Sequence, residues 1–156
     1  MARIDPSAFD RHYPQLTYEA GLFMVAYLRR VHAEFEGDIT AAIVLGEIAQ
    51  HNVRRFMREI LPGSGKDAAA LATDELLAAS IRRCNMLSVA EASGIPRETV
   101  RRKVDKLVKL GFVTRDKDGG LAVTRKVGRH FREFDRETMV GLVELAERIH
   151  GVLAQR

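Results

Sequence analysis

The chain contains no tryptophan, one cysteine and four prolines, and aromatic residues fill only 6% of its 156 positions. A lone cysteine, Cys84, excludes an internal disulfide framework and fits a reducing cytoplasm. Few aromatics beside many Leu, Val, Ile and Ala suit helices better than a β-sandwich. Long apolar runs are also missing. The longest, around Ile39 to Ile48, falls far short of the roughly 20 residues that span a bilayer, so no membrane partner is expected. The opening MARIDPSAFDRHYPQL lacks an apolar core and is not expected to act as a signal peptide.

Catalytic and metal-binding patterns are equally scarce. His12, His32, His51, His130 and His150 show no ligand spacing with Cys84. No Ser/His/Asp or Cys/His constellation is visible, so no enzymatic activity, cofactor or metal is expected. Gly63-Ser64-Gly65-Lys66 hints at a phosphate loop. The hint fails, because Asp67 follows Lys66 and Ile60 stands where the first glycine is required. The stretch reads as a linker after Pro62.

What is present is an uneven charge. Net charge is +4, yet Pro96 to Arg132 holds 12 Lys/Arg against 4 Asp/Glu, leaving 13 against 17 elsewhere. Concentrated positive charge points to an anionic partner, most simply a nucleic-acid backbone. Charge alone does not separate this from a solvated basic face.

Residues 1–15 hold two prolines and no helical period, and read as an irregular arm. Thr17 is the expected cap of a helix over about 18–35, with Leu22, Phe23, Ala26, Tyr27, Val31 and Phe35 on its apolar side. Gly37 stops it, and Asp38 caps a second helix over about 39–61. Apolar groups surround that helix through Ile48, which calls for cover on several sides, a second subunit being one source. A third helix is expected between Ala68 and Cys84, with Leu71, Leu76, Leu77, Ser80, Ile81 and Cys84 inward.

Residues 88–124, SVAEASGIPRETVRRKVDKLVKLGFVTRDKDGGLAVT, organise the rest. Ser88 and Glu91 match a capping box. Gly94 supplies a left-handed turn, Pro96 opens the next helix, and Gly111 closes it with Phe112 as the accompanying apolar contact. A helical wheel places Val100, Val104, Leu107, Val108 and Gly111 inward. Glu98, Thr99, Arg101 and Arg102 face outward near the N-terminal end, where such groups can read base edges. Arg97, Lys103 and Lys106 are better placed for phosphates. Residues 112–116 and 121–124 read as strands joined through Asp118-Gly119-Gly120, a hairpin carrying Arg115, Lys117 and Arg125.

This stretch resembles the winged helix-turn-helix of bacterial transcriptional regulators, including MarR-like and GntR-like proteins. The resemblance covers roughly residues 68–128 and rests on G-I-P-R-E-T-V-R followed by L-x-x-L-G-F-V. It implies DNA contacts from Arg97, Thr99 and Arg101. Pro96 departs from the pattern, standing where many relatives have a capping Ser that also touches phosphate. The order of helices around the head is similar to MarR-like dimers, and the chain has no room for a large effector domain of the GntR kind.

After Thr124 the chain reads as helical to Ala154, with Gly128 or the Asp135 region as candidate interruptions. Val127, Phe131, Phe134, Thr138, Leu142, Leu145, Ile149 and Val152 step by threes and fours, widened by Met139, Val143, Ala146 and Leu153. So broad an apolar face asks for a partner.

The expected fold is therefore mostly α: a winged helix-turn-helix with flanking N- and C-terminal dimerisation helices and a small two-stranded β wing. The expected segments are 1–66, 67–128 and 129–156. The expected function is sequence-specific binding of double-stranded DNA by a homodimer on a palindromic operator, to regulate transcription. The candidate contacts are those above together with Ser88 and Pro96 at the helix starts. A cleft between the helical layer and the head offers room for a small effector, with no residue pattern identifying one. The competing reading is a winged domain that docks on another protein.

Overall fold

The computed structural model describes residues 4–60 and 81–154. It is mostly helical with one small antiparallel sheet: α1 (Pro6–Glu34), α2 (Ile39–Arg55), a π-helical turn (Phe56–Ile60), α3 (Met86–Ser93), α4 (Arg97–Lys109), β1 (Val113–Arg115), β2 (Leu121–Val123), α5 (Arg125–His130) and α6 (Arg132–Leu153). No described helix is long and apolar enough to cross a membrane. The chain divides into two compact units, residues 38–129 and the combination of 1–37 with 130–156.

In the second of these, α1 and α6 run antiparallel. α1 starts at Pro6, much earlier than expected from Thr17, so residues 6–15 are helix and not an irregular arm. The reason is a complete N-terminal cap. The Asp5 carboxylate accepts the Ala8 N–H at 3.0 Å, and Pro6 occupies the first turn, where its missing N–H leaves no bond unmade. Pro14 sits inside the helix and Thr17 bonds backward, its hydroxyl donating to Tyr13 O at 2.8 Å. The helix ends at Glu34; Gly37 takes φ +85° and donates its N–H to His32 O.

An aromatic chain ties the two helices together. Phe35 stacks on Phe131 at 5.5 Å, Phe131 meets Phe134 edge-on, and Phe134 lies 6.0 Å from Tyr27. Arg30 lies over the Phe134 ring at 4.5 Å, donates to Phe134 O and pairs with Glu137 at 2.9 Å. Gly141 lets the helices approach: a β-carbon there would meet the Phe23 ring at 3.1 Å. The C-terminal helix breaks at Phe131, between the expected points at Gly128 and Asp135. Phe131 turns inward to make its ring contacts. The pair nevertheless buries little: only Leu16 and Val31 of α1 and no residue of α6.

The other unit has a true core. Asp38 caps α2 by accepting the Ala41 N–H at 3.0 Å. Ala41, Val44, Leu45 and Ile48 are buried in α2, which packs against α3, α4 and β2 of the same chain, and Phe56 is buried in the turn that follows. Much of the apolar circumference of α2 is thus covered within the chain, while Ile43 stays 45% exposed. α2 passes at Phe56 into a π-turn; position 61 of the expected second helix lies outside the described residues. Most of the expected third helix, including Leu71, Leu76, Leu77 and Ser80, lies outside them too. Ile81 to Cys84 are not its helical end: Cys84 is buried and forms an antiparallel bridge to Leu121.

Asn52 holds this corner together. It is fully buried, donates to Arg82 O at 2.8 Å and Leu121 O at 3.2 Å, and accepts the Val123 N–H at 2.8 Å. One side chain thereby fixes α2 to the bridge strand and to β2.

Candidate nucleic-acid interface

The turn between α3 and α4 is built locally. α3 begins at Met86 and is capped by Asn85, which accepts the Ser88 N–H at 2.9 Å. Ser88 is therefore inside the first turn and is not the cap, and its hydroxyl donates to the same Asn85 oxygen. Asn85 wins because its β-region backbone precedes the first helical residue, the conformation a cap needs. Gly94 ends α3 at φ +68°, as a left-handed turn demands. Pro96 is the N-cap residue of α4, one place before the first helical residue, and supplies no side-chain cap.

The C-terminus of α4 is closed by two bonds, Gly111 N–H to Val108 O and Phe112 N–H to Leu107 O, with Gly111 at φ +72° and Phe112 buried. That is the double bond pattern in which a glycine absorbs the reversed turn and the next residue returns to the core. Val100, Val104 and Leu107 are fully buried. Val108, expected inward, is 38% exposed, because it sits on the shoulder of the stripe where the chain turns away.

The hairpin aligns Val113 with Val123 and Arg115 with Leu121. Its turn is organised by Asp116, whose carboxylate accepts the N–H groups of Asp118 and Gly120. Of the expected Asp118-Gly119-Gly120 trio, only Gly119 adopts positive φ.

The solvent face of α4 carries Arg97, Glu98, Arg101 and Arg102, all exposed, with Thr99 half-buried at its edge. Arg101 is not alone there. It donates to both oxygens of Glu98, at 2.9 and 2.6 Å, and reaches Asp105 at 3.3 Å. The Glu98 pairing lowers the carboxyl pKa and raises that of the guanidinium, so both stay charged. Arg115 of β1 donates to the other oxygen of Asp105 at 2.7 Å, linking hairpin to helix.

Lys103 and Lys106 have a different setting. Their ammonium groups pair with the two oxygens of Asp38, at 2.8 and 3.1 Å. Partial burial pushes the Asp38 pKa up, but hydrogen bonds from the two lysines and from Ala41 outweigh it, leaving it below the usual value. These lysines thus anchor α4 to the start of α2. Lys117 is exposed in the hairpin turn, and Arg125 is exposed at the start of α5. Lys126 donates to Leu110 O and lies over the Phe112 ring at 5.1 Å, reinforcing the end of α4. Ser88 lies apart from the α4 face, lining an open cavity of about 300 Å³ with Glu47, His51 and Arg54.

Comparison with protein-family models, curated proteins and solved structures finds no match to this chain. Three of its working residues carry roles that no sequence motif signals: Asn52, hidden in an apolar stripe; Asp38, read as a cap alone; and Asp105, which no pattern in the sequence singles out.

Proposed function

We propose that the chain is a winged helix-turn-helix regulator of transcription that binds double-stranded DNA in the cytoplasm as a homodimer on a palindromic site. In this reading α4 enters the major groove and the hairpin is the wing. The observation that carries it is the solvent face of α4: Arg97, Glu98, Arg101 and Arg102 project from a helix otherwise fixed by Val100, Val104 and Leu107. Arg101 has the planar donor fork that matches guanine O6 and N7, and Glu98 can accept from cytosine N4. Arg97, Lys117 and Arg125 supply phosphate contacts and hence salt-dependent affinity through counterion release. Lys103 and Lys106 reach phosphate only by sharing with, or leaving, Asp38.

The dimer rests on the other unit. Tyr18, Leu22, Val25 and Leu28 step along α1 by threes and fours and are exposed, as are Met139, Val140, Leu142 and Val143 on α6. A helix pair that buries so little of its own apolar surface is well suited to a second copy. Two-fold symmetry then sets two α4 helices at the spacing of a palindrome. A gel-shift titration against random and genomic duplex at low and high salt tests the reading.

A second reading, a protein-docking module, draws on the same ion pairs. Arg101, Lys103, Lys106 and Arg115 all have carboxylate partners within the chain, which lowers the charge left for a polyanion. Absence of duplex binding at low salt selects it.

A further inference from the structure

Glu98, Arg101, Asp105 and Arg115 form a row of alternating charge that crosses from the outer face of α4 to β1. Asp105 is its centre. One oxygen lies 3.3 Å from Arg101 Nη1 and the other 2.7 Å from Arg115 Nη2, so a single carboxylate holds one cation of the helix and one of the hairpin. Its side chain is 37% exposed, open to whatever approaches the face.

We propose that Asp105 is a specificity-determining residue that suppresses binding to random DNA. This rests on the DNA-reading function proposed above. Exposed ion pairs are individually weak and exchange readily. A matching base gives Arg101 a bidentate acceptor at fixed geometry, which compensates for leaving its carboxylates. Random duplex offers the same guanidinium mainly phosphate oxygens, an exchange of one anion for another with little gain. Asp105 also sets a negative charge among any phosphates drawn to Arg101 and Arg115. Its cost to binding therefore falls more heavily on non-cognate DNA, which is how a repulsive group creates discrimination.

The test uses the full-length chain and fluorescence anisotropy. The probes are a labelled random-sequence duplex and the tightest duplex that the wild-type protein selects from a random library. Asp105→Asn should bind the random duplex about three- to tenfold more tightly, with the slope of log affinity against log salt steeper by about 1 to 2. Affinity for the selected duplex should rise less, so the ratio between the two falls. Asp105→Glu should restore the wild-type slope. Glu98→Gln, which relieves the other side of Arg101, should also tighten random binding, giving a second test if the Asp105→Asn melting temperature drops. An unchanged salt slope in Asp105→Asn, or equal changes on both duplexes, overturns the proposal. If the wild-type protein binds neither duplex, the DNA-reading function fails first and this inference with it.

Discussion

The Val123 N–H donates at 2.8 Å to Oδ1 of Asn52, a side chain with no solvent exposure. With Asn52 Nδ2 donating to Arg82 O and Leu121 O, the amide satisfies backbone groups of two separate segments. Asn52→Ala leaves the Val123 N–H and the Arg82 carbonyl without that partner, at an expected cost of about 3 kcal/mol. Urea denaturation should show a lower midpoint with an unchanged slope. Asn52→Leu should do no better, because shape without hydrogen bonding does not serve this position.

Asp38 joins a helix cap to two ion pairs. Asp38→Ala should cost about 1 to 2 kcal/mol through the lost cap and the loosened lysines. Asp38→Asn keeps the cap and loses the charge. Because the folded pKa lies below the ordinary 3.8, the charge contributes stability that is present above that value and is lost as pH falls toward the folded one. Acid unfolding curves of the wild type should fall below about pH 4, and the Asp38→Asn curve should be flatter there.

Arg101 and Lys117 are expected to differ in kind. Arg101→Ala should lower affinity for the preferred duplex about tenfold to a hundredfold and relax base preference. Lys117→Ala should weaken all sequences alike and reduce the salt slope by about 1. Anisotropy on selected and random duplex separates the two; equal losses on both for Arg101→Ala would remove it from base reading.

The apolar surfaces of α1 and α6 give a prediction about assembly. Sedimentation of the wild-type chain at micromolar concentration should report twice the chain mass. Val25 and Val143 are 58% and 59% exposed in the single chain, so a glutamate at either is compatible with the fold. Val25→Glu and Val143→Glu should yield folded monomers with intact helical content. A wild-type monomer at that concentration contradicts the dimer.

Much of this architecture was legible residue by residue. Gly94, Gly111 and Asp38 carry local signals of turn, stop and cap, and the structure uses each of them so. Local signals also misled where two competed. Pro14 looked like a breaker and hid the stronger Asp5-Pro6 start, and Ser88 matched a capping box three residues after the working cap, Asn85. What the sequence could not display is pairing at a distance. Asp38 meets Lys103 across 65 positions and Asn52 meets Val123 across 71, and neither periodicity nor composition encodes such partners. The outward face of α4 was legible from its wheel. The pairs of Arg101 with Glu98 and Asp105 follow from i,i+3 and i,i+4 spacing within α4, whereas the pairing of Asp105 with Arg115 emerges only once the helix and hairpin are placed together.

Duplex binding as a function of salt tests the account most directly. The wild-type chain should bind a random duplex with log affinity falling against log salt at a slope of about −4 or steeper. Its selected duplex should bind about a thousandfold or more tightly than random sequence. No binding at low salt, or binding without salt dependence, would contradict the claim that α4 and the hairpin form a DNA-reading surface.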